Sequence, residues 1–258
     1  MRLLIDGDIL VYRAGFAIQS KDNRIWENDD TFSYPPVSHA LQATKMMVNN
    51  ILNSCRHDAV TIYLSSDDKT NFRFEVAKTK PYKGNRKAPK PLYYHEIREY
   101  LIKRYDAQVV SGQEADDAMA QASDTKQTVI VTIDKDLDMV PGWHYNFVKK
   151  KKYYVSRTKA YRHFCKQMLV GDSVDNIPGV RGVGPVKAEK ILKLARRDKE
   201  LMLQLVYNEY ATDEEFLEMG NLLWIRREEG KPWLPELRIL QQNKRAYSTG
   251  GVPDSKKE

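Results

Sequence analysis

The chain has 258 residues and a formal net charge of +7, with 42 lysines and arginines against 35 aspartates and glutamates. This length can bury one large core with an appendage, and the basic balance favours a polyanionic partner. The two cysteines, Cys55 and Cys165, form no CxxC pair, which argues against a zinc site or a disulfide framework. No apolar run reaches transmembrane length, and we expect a protein of a reducing compartment.

Apolar runs along the chain predict alternating strands and helices. We predict strands at residues 3–5, 60–64, 107–110 and 128–133, and helices at residues 37–55, 94–104, 114–122 and 186–194. Strands separated by helices imply parallel βαβ units. The sequence therefore predicts an α/β fold with a central, mostly parallel sheet and helices on both faces. Ligands of such sheets bind at the carboxyl ends of the strands.

Acidic residues follow the predicted strands. Asp6 follows the first strand, and either Asp67 or Asp68 follows the second, with the register leaving that choice open. The whole series in chain order is Asp6, Asp67 or Asp68, Glu114, Asp116, Asp117, Asp134, Asp136, Asp172 and Asp175. Carboxylates gathered in one pocket would raise one another's pKa, so we expect Mg²⁺ or Mn²⁺ ions between them. For three isolated residues we prefer a solvated surface charge: Asp8, Asp58 and Asp138.

A basic string lies between the second strand and the helix at 94–104. It reads Tyr82-Lys83-Gly84-Asn85-Arg86 and suits a phosphate, although a solvated basic loop is the simpler alternative for the string alone. The lysine run at 149–152 has the same two interpretations, a basic hairpin on duplex DNA or solvated surface. Arg13 is a further candidate for a phosphate contact.

A glycine-punctuated turn precedes the last of these helices. It reads Gly179-Val180-Arg181-Gly182-Val183-Gly184-Pro185, and we expect its three glycines to supply positive φ angles. Pro185 suits the first turn of the helix that follows. That helix should expose Lys187, Lys190 and Lys193, and pack Val186, Ile191, Leu192 and Leu194 inward.

This turn and its basic helix resemble the helix–three-turn–helix of the 5′-nuclease superfamily. That superfamily includes flap endonucleases, bacteriophage 5′→3′ exonucleases and the nuclease domain of bacterial DNA polymerase I. The acidic Glu-x-Asp-Asp motif at 114–117, the strand-end pair Asp134 and Asp136, and the Tyr-Lys-Gly-Asn-Arg string also match, so the resemblance covers residues 1 to about 195. It implies a structure-specific 5′ nuclease that hydrolyses DNA phosphodiester bonds with a metal-activated water.

The resemblance also implies roles for individual residues. Asp6 and Asp116, with Lys83 and Arg86, would be catalytic, and the acidic series would hold two Mg²⁺ or Mn²⁺ ions. Asp6, Asp67 or Asp68, Glu114 and Asp116 form the inner set, and Asp117, Asp134, Asp136, Asp172 and Asp175 the second. DNA contacts would come from Arg13, Tyr82, Lys83, Arg86, Gly182, Gly184, Lys187 and Lys190, with Tyr82 and Tyr93 or Tyr94 stacking on a base. K⁺ at the helix–three-turn–helix is a further expectation.

We expect four regions: a nuclease core at 1–155 with a helical arch at about 80–105, a duplex-binding helix–three-turn–helix at 156–200, C-terminal helices at 201–245, and a disordered tail at 246–258. The expected substrate is a 5′ flap, a nicked or a 5′-ended duplex, with RNA–DNA hybrids as a further option. We expect a monomer in the cytoplasm of a bacterial or virus-infected bacterial cell. Two alternatives remain, a PIN-type metal-dependent ribonuclease and a non-catalytic relative that binds branched DNA.

Overall fold

The computed structural model describes residues 1–19, 25–28 and 31–248, so most of the predicted C-terminal tail lies outside the described residues. The chain divides into two compact units. The first contains residues Met1–Phe72, Lys87–Ser156 and Arg227–Glu229, and the second contains Arg73–Arg86, Arg157–Arg226 and Gly230–Glu258. The predicted core of 1–155 is therefore interrupted, because the segment at 73–86 groups with the second unit.

The described secondary structure begins with β1 (Arg2–Asp6), α1 (Gly7–Ile18), β2 (Ile25–Asn28), β3 (Thr31–Ser33), α2 (Val37–Ser54), β4 (Ala59–Ser65), α3 (Arg73–Val76), α4 (Tyr94–Tyr105), β5 (Gln108–Val110) and α5 (Ala115–Ala122). It continues with β6 (Thr128–Val131), a 3₁₀ turn (Asp136–Met139), β7 (Gly142–Asn146), β8 (Lys151–Val155), α6 (Arg157–Val170), β9 (Gly171–Asp172), β10 (Ile177–Pro178), α7 (Pro185–Leu194), α8 (Lys199–Glu209), α9 (Asp213–Leu223) and α10 (Leu237–Ser248).

A six-stranded sheet organises the first unit, with strand order β5-β4-β1-β6-β7-β8. All neighbouring pairs are parallel except β7 with β8, which form an antiparallel hairpin. In β1, Leu3 and Ile5 join a core shared with α1, α2 and α4, while Leu4 points to the other face. Helix α5 contributes no residue to that core and contacts β1 and β4. The predicted α/β class with a mostly parallel sheet is confirmed.

The second unit is mainly helical. Helix α6 leads into the short antiparallel pair β9–β10, and α7, α8 and α9 follow. Its core is aromatic: the ring of Phe164 lies 4.9 Å from that of Trp224 and 5.2 Å from that of Trp233, and Phe216 packs 5.3 Å from Trp233. Aromatic rings in such tilted contacts bury large apolar areas, so this unit has its own hydrophobic core.

Two predictions about elements differ from the structure. Residues 77–93 contain turns and coil, and α4 packs Tyr94, Ile97 and Leu101 into the core, so only the part of the predicted arch at 80–105 from Tyr94 onward is helical. The apolar spacing of α4 correctly predicted a helix. The apolar face that this spacing creates is the face that packs into the core. Helix α1 and strand β7 are not among the elements that the sequence pattern predicted. None of the helices in the described part of the chain is long and apolar enough to cross a membrane.

Candidate functional site

Asp6 stands at the carboxyl end of β1, next to the start of α1. Its carboxylate accepts hydrogen bonds from the Ile9 N–H at 3.0 Å and from the Thr132 hydroxyl at 2.7 Å. Burial raises the pKa of Asp6 to about 7, and the charges of Asp8 and Asp134 add to that rise. Burial of a carboxylate without a cation is costly, so the fold holds Asp6 at an unfavourable electrostatic position.

Helix α5 brings the second group of carboxylates. Glu114 is its N-cap, and the Glu114 N–H donates to the Asp117 carboxylate at 3.1 Å in a capping box. Asp116 keeps partial access to solvent. Burial raises the pKa of Asp116 well above its usual range, and the charges of Asp6, Asp134, Glu114 and Asp117 raise it further. Strands β1 and β6 and helix α5 thus bring the predicted acidic residues into electrostatic contact.

Asp8 was wrongly interpreted as a solvated surface charge. Its carboxylate accepts the Ser65 N–H at 3.0 Å and the Arg98 guanidinium at 3.2 Å, and burial raises its pKa. The charge of Asp8 also raises the pKa of Asp6. Asp8 therefore belongs to the acidic edge of the sheet, one helical residue beyond Gly7. At Gly7 a Cβ would lie 2.5 Å from the Tyr63 carbonyl oxygen, which explains the glycine between the two aspartates.

Arg98 is a site residue that sequence reasoning missed. It is 7% exposed, donates to the Ser65 carbonyl at 2.8 Å, and lies 3.8 Å from the Asp67 carboxylate. The missed signal was its position on α4, one turn after Tyr94 and among residues of the apolar face. A basic residue at a core position of an amphipathic helix indicates a buried acidic partner.

Asp67 and Asp68 have different surroundings. Asp67 accepts hydrogen bonds from Lys90 at 2.8 Å and from the Tyr94 hydroxyl at 3.0 Å, and its pKa is lowered because these bonds and nearby Arg98 outweigh its burial. Asp68 accepts from the Thr70 hydroxyl and N–H, which lower its pKa. Asp67 therefore shares Arg98 with Asp8, whereas Asp68 bonds to Thr70 and to the Ser111 hydroxyl after β5.

The segment after β6 carries the strand-end pair. The Asp136 N–H donates to the Asp134 carboxylate at 2.9 Å, and Asp136 begins the 3₁₀ turn. Two residues further on, Asp138 accepts the Tyr153 hydroxyl at 2.8 Å, so its interpretation as a solvated charge is also wrong. Asp58, by contrast, is largely exposed and pairs with the N-terminal amine at 2.5 Å.

The carboxylates of the acidic edge do not converge closely enough to surround a metal ion. Among residues 1–19, 25–28 and 31–248, no three carboxylate, histidine or cysteine side chains converge as a metal site. In the same described part of the chain, no lysine or arginine forms an ion pair with Asp6, Asp116 or Asp134. Oxygen donors that repel one another and lack a protein counter-ion fit a hard divalent cation.

The second unit gathers the basic string around Asp175. The Tyr82 hydroxyl donates to the Asp175 carboxylate at 2.7 Å, Lys83 Nζ lies 3.7 Å from it, and Arg86 pairs with its other oxygen. Lys83 has a left-handed φ of 55°, and its N–H donates to the Asp175 carbonyl at 2.9 Å. Asp172 and Asp175 are thus members of the second unit, and Asp175 already has cationic partners.

Two predicted base-stacking tyrosines are buried. Tyr82 is 4% exposed and packs edge-on against Phe74 at 5.4 Å, while Tyr94 is 7% exposed and hydrogen-bonded to Asp67. A ring enclosed in this way offers no face to a base. The stacking prediction is therefore wrong for Tyr82 and Tyr94, whose hydroxyls instead bond to Asp175 and Asp67, and it stays a prediction for half-buried Tyr93.

The glycine-rich turn has a different division of roles from the one predicted. Gly182 has φ +76°, as expected, but Gly184 is the N-cap of α7 with φ −87°. Gly171 and Gly179 are needed because their backbones touch: a Cβ on Gly171 would lie 2.3 Å from the Gly179 nitrogen. Pro185 begins α7, as predicted. This closely packed pair positions the exposed turn before α7.

Helix α7 exposes Lys187, Lys190 and Lys193, as predicted. Of the predicted inward residues, Leu192 is buried, together with Ala188, whereas Val186 and Leu194 are 72% and 70% exposed. Lys187 lies 3.6 Å from Glu209 of α8. In the first unit, exposed Arg13 lines a cleft of about 240 Å³ with Lys150, Phe147 and Asn50.

The sequence is similar to named proteins over most of its length. Residues 1–166 match the family described as 5′–3′ exonuclease, N-terminal resolvase-like domain. The chain belongs to this 5′–3′ exonuclease family. It is 29% identical over 212 residues to a 5′–3′ exonuclease of Buchnera aphidicola, covering 74% of this chain and 69% of that protein. It is 27% identical to DNA polymerase I of Bacillus caldotenax over 74% of the chain, but spans only 23% of that protein.

Solved structures share the fold. A bacteriophage T5 protein co-crystallised with metal ions aligns with a TM-score of 0.61 at 16% identity, over 86% of this chain and 88% of that one. A complex of the bacteriophage T5 flap endonuclease with DNA and metal ions aligns with a TM-score of 0.52 at 15% identity, over 96% and 98% of the two chains. The predicted family, fold class and enzyme class, a nuclease acting on DNA phosphodiester bonds, are confirmed by these matches together.

Proposed function

We propose that this member of the 5′–3′ exonuclease family is a structure-specific nuclease that removes nucleotides from 5′ ends and 5′ flaps of DNA with divalent cations. The observation that carries the proposal is the uncompensated acidic edge around Asp6, Asp116 and Asp134, in a chain whose relatives are 5′–3′ exonucleases. A protein that binds DNA without cutting it would gain nothing from keeping these mutually repelling carboxylates together.

The cations would be Mg²⁺ or Mn²⁺, held by the carboxylates of the acidic edge. Asp6, Glu114, Asp116 and Asp134 form the central set, with Asp8, Asp67 and Asp136 around it. When bound, such ions supply an activated water and stabilise the charge on the leaving oxygen. The protein's part is to keep the donors oriented: Thr132 and the Ile9 N–H fix Asp6, and the capping box fixes the start of α5.

Lys83 and Arg86 would stabilise the phosphate in the transition state. The ammonium group of Lys83 and the guanidinium of Arg86 both lie against the Asp175 carboxylate. The left-handed backbone at Lys83 gives the loop a defined conformation. Strained backbone of this kind is often retained where a side chain must be oriented. We propose that both cations, fixed in this way, act on the charge that develops during cleavage. Asp172 and Asp175 would then serve the second metal or hold these cations.

The duplex would lie on the turn and the first half of α7. Gly182, Gly184, Lys187 and Lys190 are exposed together there, and a helix N-terminus after a glycine turn suits a phosphate. K⁺ at this turn remains part of the proposal. Arg13 and Lys150 offer a second pair of cations along the cleft between α1, α2 and the β7–β8 hairpin.

The deciding experiment compares four 5′-labelled substrates with Mg²⁺: a 5′ flap, a nicked duplex, an RNA–DNA hybrid and a single strand. We expect the flap and the nicked duplex to be cut fastest, and chelation to stop cleavage while DNA binding persists. Cleavage of the RNA–DNA hybrid distinguishes a nuclease that also acts on RNA strands from one restricted to DNA. Sedimentation of the same protein sample tests the expected monomeric state. Unchanged cleavage in chelator, or none on any 5′-ended substrate with Mg²⁺ or Mn²⁺, would overturn the proposal.

A further inference from the structure

Arg227 is remote in sequence from the carboxylates but belongs to the first unit. Its guanidinium donates a hydrogen bond to the carbonyl of Met139, the last residue of the 3₁₀ turn that begins at Asp136. Burial lowers the pKa of Arg227 to about 10, and the charge of Asp117 opposes that fall. One guanidinium therefore binds the acidic turn after β6 and lies within electrostatic reach of the acidic helix α5.

Asp117 is the other half of this arrangement. Its side chain is 0% exposed, and its carboxylate accepts the Glu114 N–H within the capping box. A carboxylate this deeply buried requires hydrogen bonds and an opposite charge. The neighbouring Asp116 instead keeps partial access to solvent. The two adjacent aspartates of α5 thus have different surroundings, one inside the fold and one at the acidic edge.

We propose that Arg227 is a positioning residue of the metal centre. It supplies the counter-charge for Asp117 and fixes the 3₁₀ turn, so that Asp116 and Asp136 stay in place for the cation. The inference rests on the proposed nuclease function and changes the role of Asp117, which the sequence had suggested as a metal ligand. Arginine suits the task because its planar fork can serve two partners at once.

The first test compares Arg227→Met, Arg227→Lys and a matched control, Arg238→Met, at an exposed arginine of α10. Loss of a residue that orients metal ligands typically costs about 10–100-fold in metal affinity or activity. We expect Arg227→Met to lose that much in single-turnover cleavage at saturating DNA, with DNA affinity changed by no more than about threefold. Tb³⁺ titration of the metal-free protein should weaken in parallel, Arg227→Lys should recover part of both losses, and the control should match the wild type.

The second test is a double-mutant cycle with Asp117→Asn. If Arg227 serves as the counter-charge, removing both charges should give Tb³⁺ affinity and turnover at least equal to those of Arg227→Met alone. If Asp117 binds the metal directly, the losses should multiply, and the inference is then overturned. Turnover and Tb³⁺ affinity of Arg227→Met within twofold of wild type would also overturn it.

Folding is checked by thermal unfolding of each variant. If Arg227→Met fails to fold and the double variant folds and binds Tb³⁺, the counter-charge role is supported. If both fail to fold, Arg227 is a structural residue and the inference is wrong. Because Tb³⁺ binding needs no DNA, a wild-type protein that binds the ion but cuts no substrate would count against the proposed nuclease function alone.

Discussion

Asp6 in the first unit and Asp175 in the second are each the central carboxylate of a predicted site, the acidic edge and the basic string respectively. The two carboxylates differ in how their negative charges are compensated. Asp175 has three side-chain partners, the hydroxyl of Tyr82 and the cations of Lys83 and Arg86. Among the described residues, Asp6 accepts hydrogen bonds from neutral donors only, and the charges that raise its pKa are those of the carboxylates Asp8 and Asp134. The second cluster thus has its charge compensated by side chains of the chain, whereas the first does not. Under the proposed function, this difference separates a centre that would take up a divalent cation from one that presents cations.

The largest effect should come from Asp116→Asn, which removes a charge from the uncompensated edge. We expect single-turnover cleavage in Mg²⁺ to fall by at least about 10³-fold, within the range of losses at metal and charge-stabilising sites. The metal-free variant should melt at a higher temperature than the wild type, because one repelling carboxylate is gone. Added Mg²⁺ should raise its melting temperature less than it raises that of the wild type.

The control for this change is Asp106→Asn, an exposed residue with φ 53°, a conformation that asparagine accepts. It should leave cleavage and the Mg²⁺ response unchanged. Full activity of Asp116→Asn with a lower metal-free melting temperature would place Asp116 outside the metal centre, and the comparison with Asp175 would lose its basis.

Lys83→Ala should have the next largest effect. Charge on the phosphate increases in the transition state, so the loss should appear in turnover more than in affinity. We expect single-turnover cleavage of a 5′ flap to fall by about 10²–10³-fold, the usual cost of one such donor, with DNA affinity changed only a few-fold. Lys126→Ala, at an exposed lysine of the first unit, is the control.

Asp175→Asn sharpens the same comparison. If Asp175 mainly holds Lys83 and Arg86, its neutralisation should cost less than Lys83→Ala. A loss as large as that of Asp116→Asn, together with weaker metal binding, would instead assign Asp175 to the metal set.

For Lys83→Ala, the contrary outcome is a loss of DNA affinity of about 10²–10³-fold with unchanged turnover. Lys83 would then be an ordinary contact to the DNA backbone.

Much of the first cluster was predictable because it depends on local order. Strand periodicity located β1, β4 and β6, and aspartates that follow parallel strands meet at one edge. The partners were less accessible. The position of Arg98 on the apolar face of α4 indicates a buried acidic partner but not which one, and Asp8 looked isolated because its partners Ser65 and Arg98 are distant in the sequence. The pairing of Asp175 with the basic string likewise depends on tertiary packing within the second unit. The spacing of residues along the sequence does not predict such a contact.

Lys187→Ala tests whether the second unit presents further cations to the duplex. Loss of one phosphate contact should reduce the log–log salt dependence of binding by about one unit, and turnover at saturating DNA should stay unchanged. Lys187 lies 3.6 Å from Glu209, so Glu209→Gln should have the opposite sign and bind the duplex more tightly. A collapse of turnover with intact affinity would show that α7 has a different role.

The smallest effects should separate Asp67 from Asp68, which the sequence left undecided. Asp67 accepts from Lys90 and Tyr94 and shares Arg98 with Asp8, so Asp67→Asn should disturb the acidic edge and lower turnover by about tenfold, as for residues that orient metal ligands. Asp68 is exposed and bonds only to hydroxyl and backbone donors, those of Thr70 in its own loop and the Ser111 hydroxyl after β5, in the described part of the chain. Asp68→Asn should therefore change turnover by less than about threefold, as expected for a surface substitution away from a site. The reverse order, measured by single-turnover cleavage across a Mg²⁺ titration, would make Asp68 the residue that belongs to the metal centre and Asp67 the partner of Lys90.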